Sequence, residues 1–157
     1  MRLIGITALI AALLDQASKY IVVHGMQLYQ VVYIEVWPPF LNFLYGENFG
    51  INFGLFGDSI NRWVFVGLAA VICLTVLWWM RQPQPKLAQF GSGLLIGAAI
   101  GNVIDRIWFG YVQDFLNMSC CWINNPFSFN VADIFIFAGA IGLAFFAQDT
   151  SKTKKGA

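Results

Sequence analysis

The chain has 157 residues, of which 59% are hydrophobic, 17% aromatic and 11% charged, with a formal net charge of +1. A soluble domain carries about 25% charged residues, and a chain this short cannot hide so much apolar surface, so lipid must solvate part of it. The nine basic residues are scattered rather than set in a stripe, which excludes a nucleic-acid-binding surface.

The length suits one membrane domain over residues 1–157. Four apolar runs, at about 3–23, 63–80, 87–105 and 131–148, each approach the ~20 residues a helix needs to cross hydrocarbon. They are too long and continuous for barrel strands. The first run reads as a retained span rather than a cleaved leader. Asp15 and Lys19 follow its core without a small-residue cleavage site, and three more runs come after it. The expected fold is therefore mainly α: a polytopic membrane protein with four transmembrane helices.

Charge sets the expected direction. With four spans, Arg2, the Arg81–Lys86 loop and Lys152, Lys154 and Lys155 fall on one side, which the positive-inside rule makes cytoplasmic, with both termini. The inner turn, Gln82-Pro83-Gln84-Pro85, carries two helix breakers. Trp63 and Trp78-Trp79 bracket the second run like interfacial belts.

The outer segments are unequal. Residues 24–61 alternate apolar stretches, such as Gln30-Val31-Val32-Tyr33-Ile34-Glu35-Val36, with turn signals at Pro38-Pro39, Gly46, Gly50, Gly54 and Gly57. That pattern predicts short strands and turns resting on the membrane. The second outer segment, 106–130, is also mostly apolar, with Trp108, Phe115, Trp122 and Phe127. Cys73 lies in an apolar run, and Cys120 and Cys121 are neighbours. All three read as packing residues or free thiols, with no metal-ligand spacing.

A charge within a membrane segment costs about 2.5–3.5 kcal/mol on insertion scales, which makes it a functional candidate. Asp15 and Lys19 are four apart and can pair on one helix face, with Lys19 either snorkelling outward or supporting a site. Asn48, with Gly50 and Gly54 after it, marks tight turns. Gly93, Gly97 and Gly101 form one smooth face for close helix packing. They lead to Asn102, Asp105 and Arg106. There Asn102 and Arg106 share a face and Asp105 is expected to turn elsewhere. Asp114 and Asp133 sit in apolar stretches without an adjacent basic partner, and Asp133 opens the fourth run, where an anion favours a helix N-terminus.

Two nearby carboxylates cannot both ionise easily. The charged one can take a proton from water while the neutral one polarises a carbonyl. That chemistry requires no metal and no cofactor. The single His, His24, ends the first run, and no phosphate loop or zinc motif is present. An ion- or proton-coupled carrier is the competing reading, but it predicts acids spread through the membrane and paired repeats.

The polar blocks together resemble the bacterial lipoprotein signal peptidase (signal peptidase II) family. They are Asp15-Gln16-Ala17-Ser18-Lys19, Glu47-Asn48-Phe49-Gly50, Gly101-Asn102-Val103-Ile104-Asp105-Arg106 with Gly110-Tyr111-Val112-Gln113-Asp114-Phe115, and Phe129-Asn130-Val131-Ala132-Asp133. They stand in the family's order. Phe49, Ile51 and Asn52 stand where its second block has smaller residues. The resemblance implies an aspartic endopeptidase of the bacterial inner membrane, with an outer β-cradle and its active site at the outer face. It implies removal of the signal peptide from diacylglyceryl-modified prolipoproteins, cut just before the lipidated cysteine. Asp114 and Asp133 would be catalytic. Asp15, Lys19, Asn48, Gly50, Asn102, Asp105, Arg106, Asn130 and Ala132 would support the dyad or bind substrate. The expected partners are prolipoproteins and membrane lipids, with the enzyme a monomer.

Overall fold

A computed structural model describes residues 1–50, 61–120 and 125–147. The expectations at Ile51, Asn52, Gly54, Gly57, Trp122 and the Lys152–Lys155 tail lie outside these residues.

Helix α1 (Arg2–Lys19) runs on as a π-helical segment, Tyr20–Gly25. A short helix, α2 (Leu28–Val31), then replaces the strand start expected there. Strands β1 (Tyr33–Trp37) and β2 (Leu41–Asn48) follow, joined through the Pro38-Pro39 turn. Helix α3 (Arg62–Trp79) ends before the two prolines of the inner loop, and α4 (Lys86–Trp108) starts directly after Pro85, which caps it. Strand β3 (Val112–Met118) and helix α5 (Val131–Phe146) complete the fold. Gly110, at φ 93°, makes the sharp turn from α4 into β3, a conformation that side chains rarely adopt.

The combined α1–π segment, α3 and α4 are long and apolar enough to cross a membrane; α5 is apolar but shorter, at 16 residues. Helix α4 is the hub, packed against α1, α3 and α5. Its glycines explain the closeness to α1. A Cβ on Gly93 would stand 2.5 Å from Thr7 Cβ and 2.8 Å from the Ile4 carbonyl oxygen, and one on Gly97 would collide with the Ala8 carbonyl. Without a hydrophobic force between helices in lipid, such close backbone approach drives association. Gly139 of α5 lies as tightly on Gly91 and Leu95 of α4. By contrast α3 leaves Leu68, Val71 and Leu74 more than half exposed, as a lipid-facing helix does.

The three strands form one antiparallel sheet in the order β1-β2-β3. One row across it, Ile34–Phe43–Leu116, packs on the cluster of Val22, Val23, Leu28 and Phe115. The sheet thus caps one end of the bundle, while Ile4, Val76, Met80, Leu95, Ile96 and Leu143 form a second apolar cluster. Cys120 is disulfide-bonded, so the expectation of three unpaired thiols fails there, and Cys73 is free. Sequence proximity alone does not report whether local backbone brings sulfurs into bonding geometry.

Candidate active site

Each aspartate of the candidate dyad is fixed by its own element. Asn130 caps α5, its Oδ1 accepting from Asp133 N at 3.0 Å, while Asp133 Oδ2 accepts from Asn130 N at 3.2 Å. This reciprocal capping box satisfies two N–H groups at the helix start and locks the Asp133 rotamer. Asp114 lies in mid-β3 opposite Gly46 of β2. Asn48, at the end of β2, donates to Asp114 Oδ2 at 3.0 Å and takes the Gly50 N–H on its own Oδ1 at 3.1 Å. Asn130 Nδ2 donates to Asp114 Oδ1 at 2.6 Å. One asparagine therefore holds both carboxylates. Asn102 adds a bond to Asp133 Oδ1 at 3.3 Å.

A second polar cluster lies beside the first. Lys19 Nζ reaches Asp15 Oδ2 at 2.8 Å, Asp105 Oδ2 at 2.7 Å and Asn102 Oδ1 at 3.1 Å. These three partners use all three ammonium donors. Lys19 is 2% exposed, so of its two readings, snorkelling outward or supporting a site, the first does not hold. Asp105 does not turn away from Asn102 as expected, because both meet the same ammonium. They are three apart, and α1 approaches between them along the glycine face. Asp15 Oδ1 accepts from Ala132 N at 3.0 Å, and Asp105 Oδ2 accepts from Gln113 N at 3.1 Å. Each of these backbone bonds is made one residue before a dyad aspartate. The ion-paired cluster thus clamps both Asp133 and Asp114 from behind.

Gln16 and Gln113 were not singled out from sequence. Gln16 Nε2 donates to Asp105 Oδ1 at 2.9 Å, and Gln113 supplies the backbone N–H just described. An amide inside an apolar run, next to Asp15, was the available signal for Gln16. Arg106 stands apart from the dyad contacts. Its guanidinium lies 5.1 Å above the Phe65 ring, Nη1 donates to the Asn102 carbonyl at 3.2 Å, and Nε is buried with no partner among the described residues. Arg106, Asn102 and Phe65 border a mainly apolar cavity of about 280 Å³ between α3, α4 and α5.

The electrostatics separate the two clusters. No cation lies within ion-pair distance of Asp114 or Asp133 among the described residues. Burial, reinforced by the Asp133 charge, pushes the Asp114 carboxyl up to about 7, against the opposing hydrogen bonds from Asn48 and Asn130. At neutral pH Asp114 is poised to hold or release a proton, as a general acid or base requires.

Comparison with known proteins gives the family. The family model described as "Signal peptidase (SPase) II" matches residues 7–148. The chain belongs to the signal peptidase II family. A lipoprotein signal peptidase of Alteromonas mediterranea is 39% identical, covering 89% of this chain and 76% of its own. One from Methylorubrum extorquens is 42% identical, covering 88% and 82%. A solved bacterial membrane enzyme shares the fold with a TM-score of 0.74 at 27% identity, covering 88% of each chain. A signal peptidase II is an aspartic-type peptidase.

Proposed function

We propose that Asp114 and Asp133 are the catalytic pair of this aspartic endopeptidase, which removes the signal peptide from diacylglyceryl-modified prolipoproteins by cutting just before the lipidated cysteine. The observation that carries the assignment is the shared Asn130, which holds two carboxylates together where no cation neutralises them.

The pair shares one proton, with Asp114 the member raised toward neutrality. Asp133 Oδ1 takes a proton from water as the water oxygen attacks the peptide carbonyl carbon. Protonated Asp114 donates to the carbonyl oxygen as its charge develops. The tetrahedral intermediate then collapses: the C–N bond breaks, the proton on Asp133 passes to the leaving amine, and the former carbonyl oxygen returns its proton to Asp114. Asn48, Asn102 and Asn130 keep the carboxylates oriented, and Asp15, Lys19 and Asp105 hold the elements that carry them. The cavity beside Asn102 and Arg106 receives apolar substrate close to the dyad.

The membrane arrangement in this reading has four spans, cytoplasmic termini and the dyad at the outer face of the bacterial inner membrane, in a monomer. The described part of α5 covers about 24 Å at 1.5 Å per residue. The distribution of Lys and Arg between the loops supports the direction. The test is cleavage of a synthetic diacylglyceryl prolipoprotein by purified wild type, Asp114→Asn and Asp133→Asn. Each variant is expected to remain folded and lose about a thousandfold in rate. Full activity in either one sinks the assignment.

A further inference from the structure

The apolar cavity beside Arg106 is a narrow groove. Its wall on α4 is one stripe, Arg106, Val103, Ala99 and Leu95, spaced three or four residues apart. Phe65, Ala69 and Ile72 line it from α3. From Arg106 to Leu95 the stripe spans eleven residues, about 16 Å at 1.5 Å per residue. The volume of about 280 Å³ over that length leaves a cross-section of roughly 17 Å².

That width selects the guest. Carbon atoms pack about 4 Å apart, so one extended hydrocarbon chain needs roughly 16 Å². A signal-peptide helix, about 10 Å across, needs about 80 Å². One leucine side chain reaches only about 4 Å from its backbone, too short for such depth. Apart from Arg106 and Asn102 at the head, the lining is apolar. Leu95 also belongs to the packed cluster of Val76, Met80, Ile96 and Leu143, which gives the groove a floor. Ile72, on its wall, is 41% exposed, so a chain enters sideways from the bilayer.

The head supplies the polar contact. Arg106 Nη1 donates to the Asn102 carbonyl, Nε is enclosed, and Phe65 supports the guanidinium plane. A guanidinium has five N–H donors, so the remaining Nη groups of this half-buried side chain are left for a guest. Asn102 in turn donates to Asp133, which sets the guanidinium one residue from the dyad. A diacylglyceryl thioether holds its ester carbonyls a few bonds from the peptide bond to be cut. An ester carbonyl is an acceptor joined directly to an apolar chain, the match for a donor at the head of an apolar slot. We propose that the groove seats one acyl chain of the substrate's diacylglyceryl group, with Arg106 donating to that chain's ester carbonyl. The groove is one chain wide, so the second acyl chain stays in the bilayer. The inference rests on the peptidase reading for the identity of its guest.

The test uses Asp114→Asn, which binds substrate without cutting it. In lipid nanodiscs it is loaded with a synthetic diacylglyceryl lipopeptide bearing a diazirine at about the tenth acyl carbon, about 12 Å below the ester at about 1.25 Å per carbon. After irradiation, mass spectrometry is expected to find the label on Ile72, Leu95, Ala99 or Ile136. Label confined to Val71, Leu74 or Phe137, which are 61%, 66% and 70% exposed, overturns the groove. Replacing the esters by ethers removes the acceptor and is expected to weaken binding about tenfold, the scale of one hydrogen bond to a charged group. Adding Arg106→Met makes the two substrates bind alike. Equal binding of ester and ether before that change, or an undiminished difference after it, overturns the arginine contact. Neither readout needs turnover. A wild type that cuts nothing while the groove is labelled sinks the peptidase reading alone, and cleavage with the label elsewhere sinks the groove alone.

Discussion

Two clusters of aspartates stand side by side at the C-terminal end of α4, one ion-paired and the other not. Asp15 and Asp105 share one buried ammonium, Lys19, and accept backbone N–H bonds from Ala132 and Gln113. Asp114 and Asp133 are held by neutral amides alone, from Asn48, Asn102 and Asn130, besides the backbone N–H of the cap. The ion-paired carboxylates tie α1 and α4 to the backbone N–H groups next to Asp133 and Asp114, which makes them a clamp. Asp114, buried without an ion-pair partner, has its carboxyl pushed up to about 7 and can do acid–base work. In the proposed assignment the same residue type supplies both scaffold and reagent, separated by the position of one lysine.

The sharpest way to break the comparison is to neutralise one side at a time. Asp114→Asn and Asp133→Asn are expected to cost about a thousandfold in cleavage with the fold intact. Lys19→Met acts in the other direction. It leaves Asp15 and Asp105 buried together without compensation, at a cost of about 3–5 kcal/mol. Thermal unfolding in detergent should show a large fall in midpoint. Adding Asp105→Asn to Lys19→Met should recover part of it, since one unpaired charge is removed. A Lys19→Met variant as stable as wild type contradicts the clamp.

Asp114 should also carry a pH-dependent stability penalty. Asp114 is raised from its ordinary 3.8 to about 7 in the folded chain. Its protonated form favours the fold fully below pH 4, and that contribution is lost as pH rises to about 7. The unfolding midpoint of Asp114→Asn relative to wild type is therefore expected to climb between pH 4 and pH 7 and level off above. A difference independent of pH excludes a raised Asp114.

Much of this was legible in the sequence, for a physical reason. Charges in apolar runs are costly, so Asp15, Lys19, Asp105, Asp114 and Asp133 announced themselves. The helices Arg62–Trp79 and Lys86–Trp108 lie within a few residues of the runs read at 63–80 and 87–105. What stayed hidden depends on approach between elements. Whether Asp105 or Arg106 joins Asn102 is decided by where α1 lands on the Gly93–Gly97–Gly101 face, and helical spacing alone favoured Arg106. Lys19 reads equally as a snorkeller or a site support until two carboxylates from separate helices close on it.

The smallest expected effect probes the neutral amides themselves. Asn48 touches Asp114 through one hydrogen bond and no charge. That bond favours the ionised carboxylate, while burial opposes it. Asn48→Ala therefore moves the Asp114 carboxyl further up. Cleavage needs one protonated member of the pair, so the alkaline limb of the rate profile, expected near pH 7 in wild type, shifts to higher pH in the variant. The maximal rate should fall only about tenfold, because Asn130 still orients the carboxylate from its other oxygen. A purely structural asparagine predicts the reverse pattern: a lower rate with the limb unmoved. The pH profile of the variant thus separates an amide that tunes the proton from one that only fills the turn.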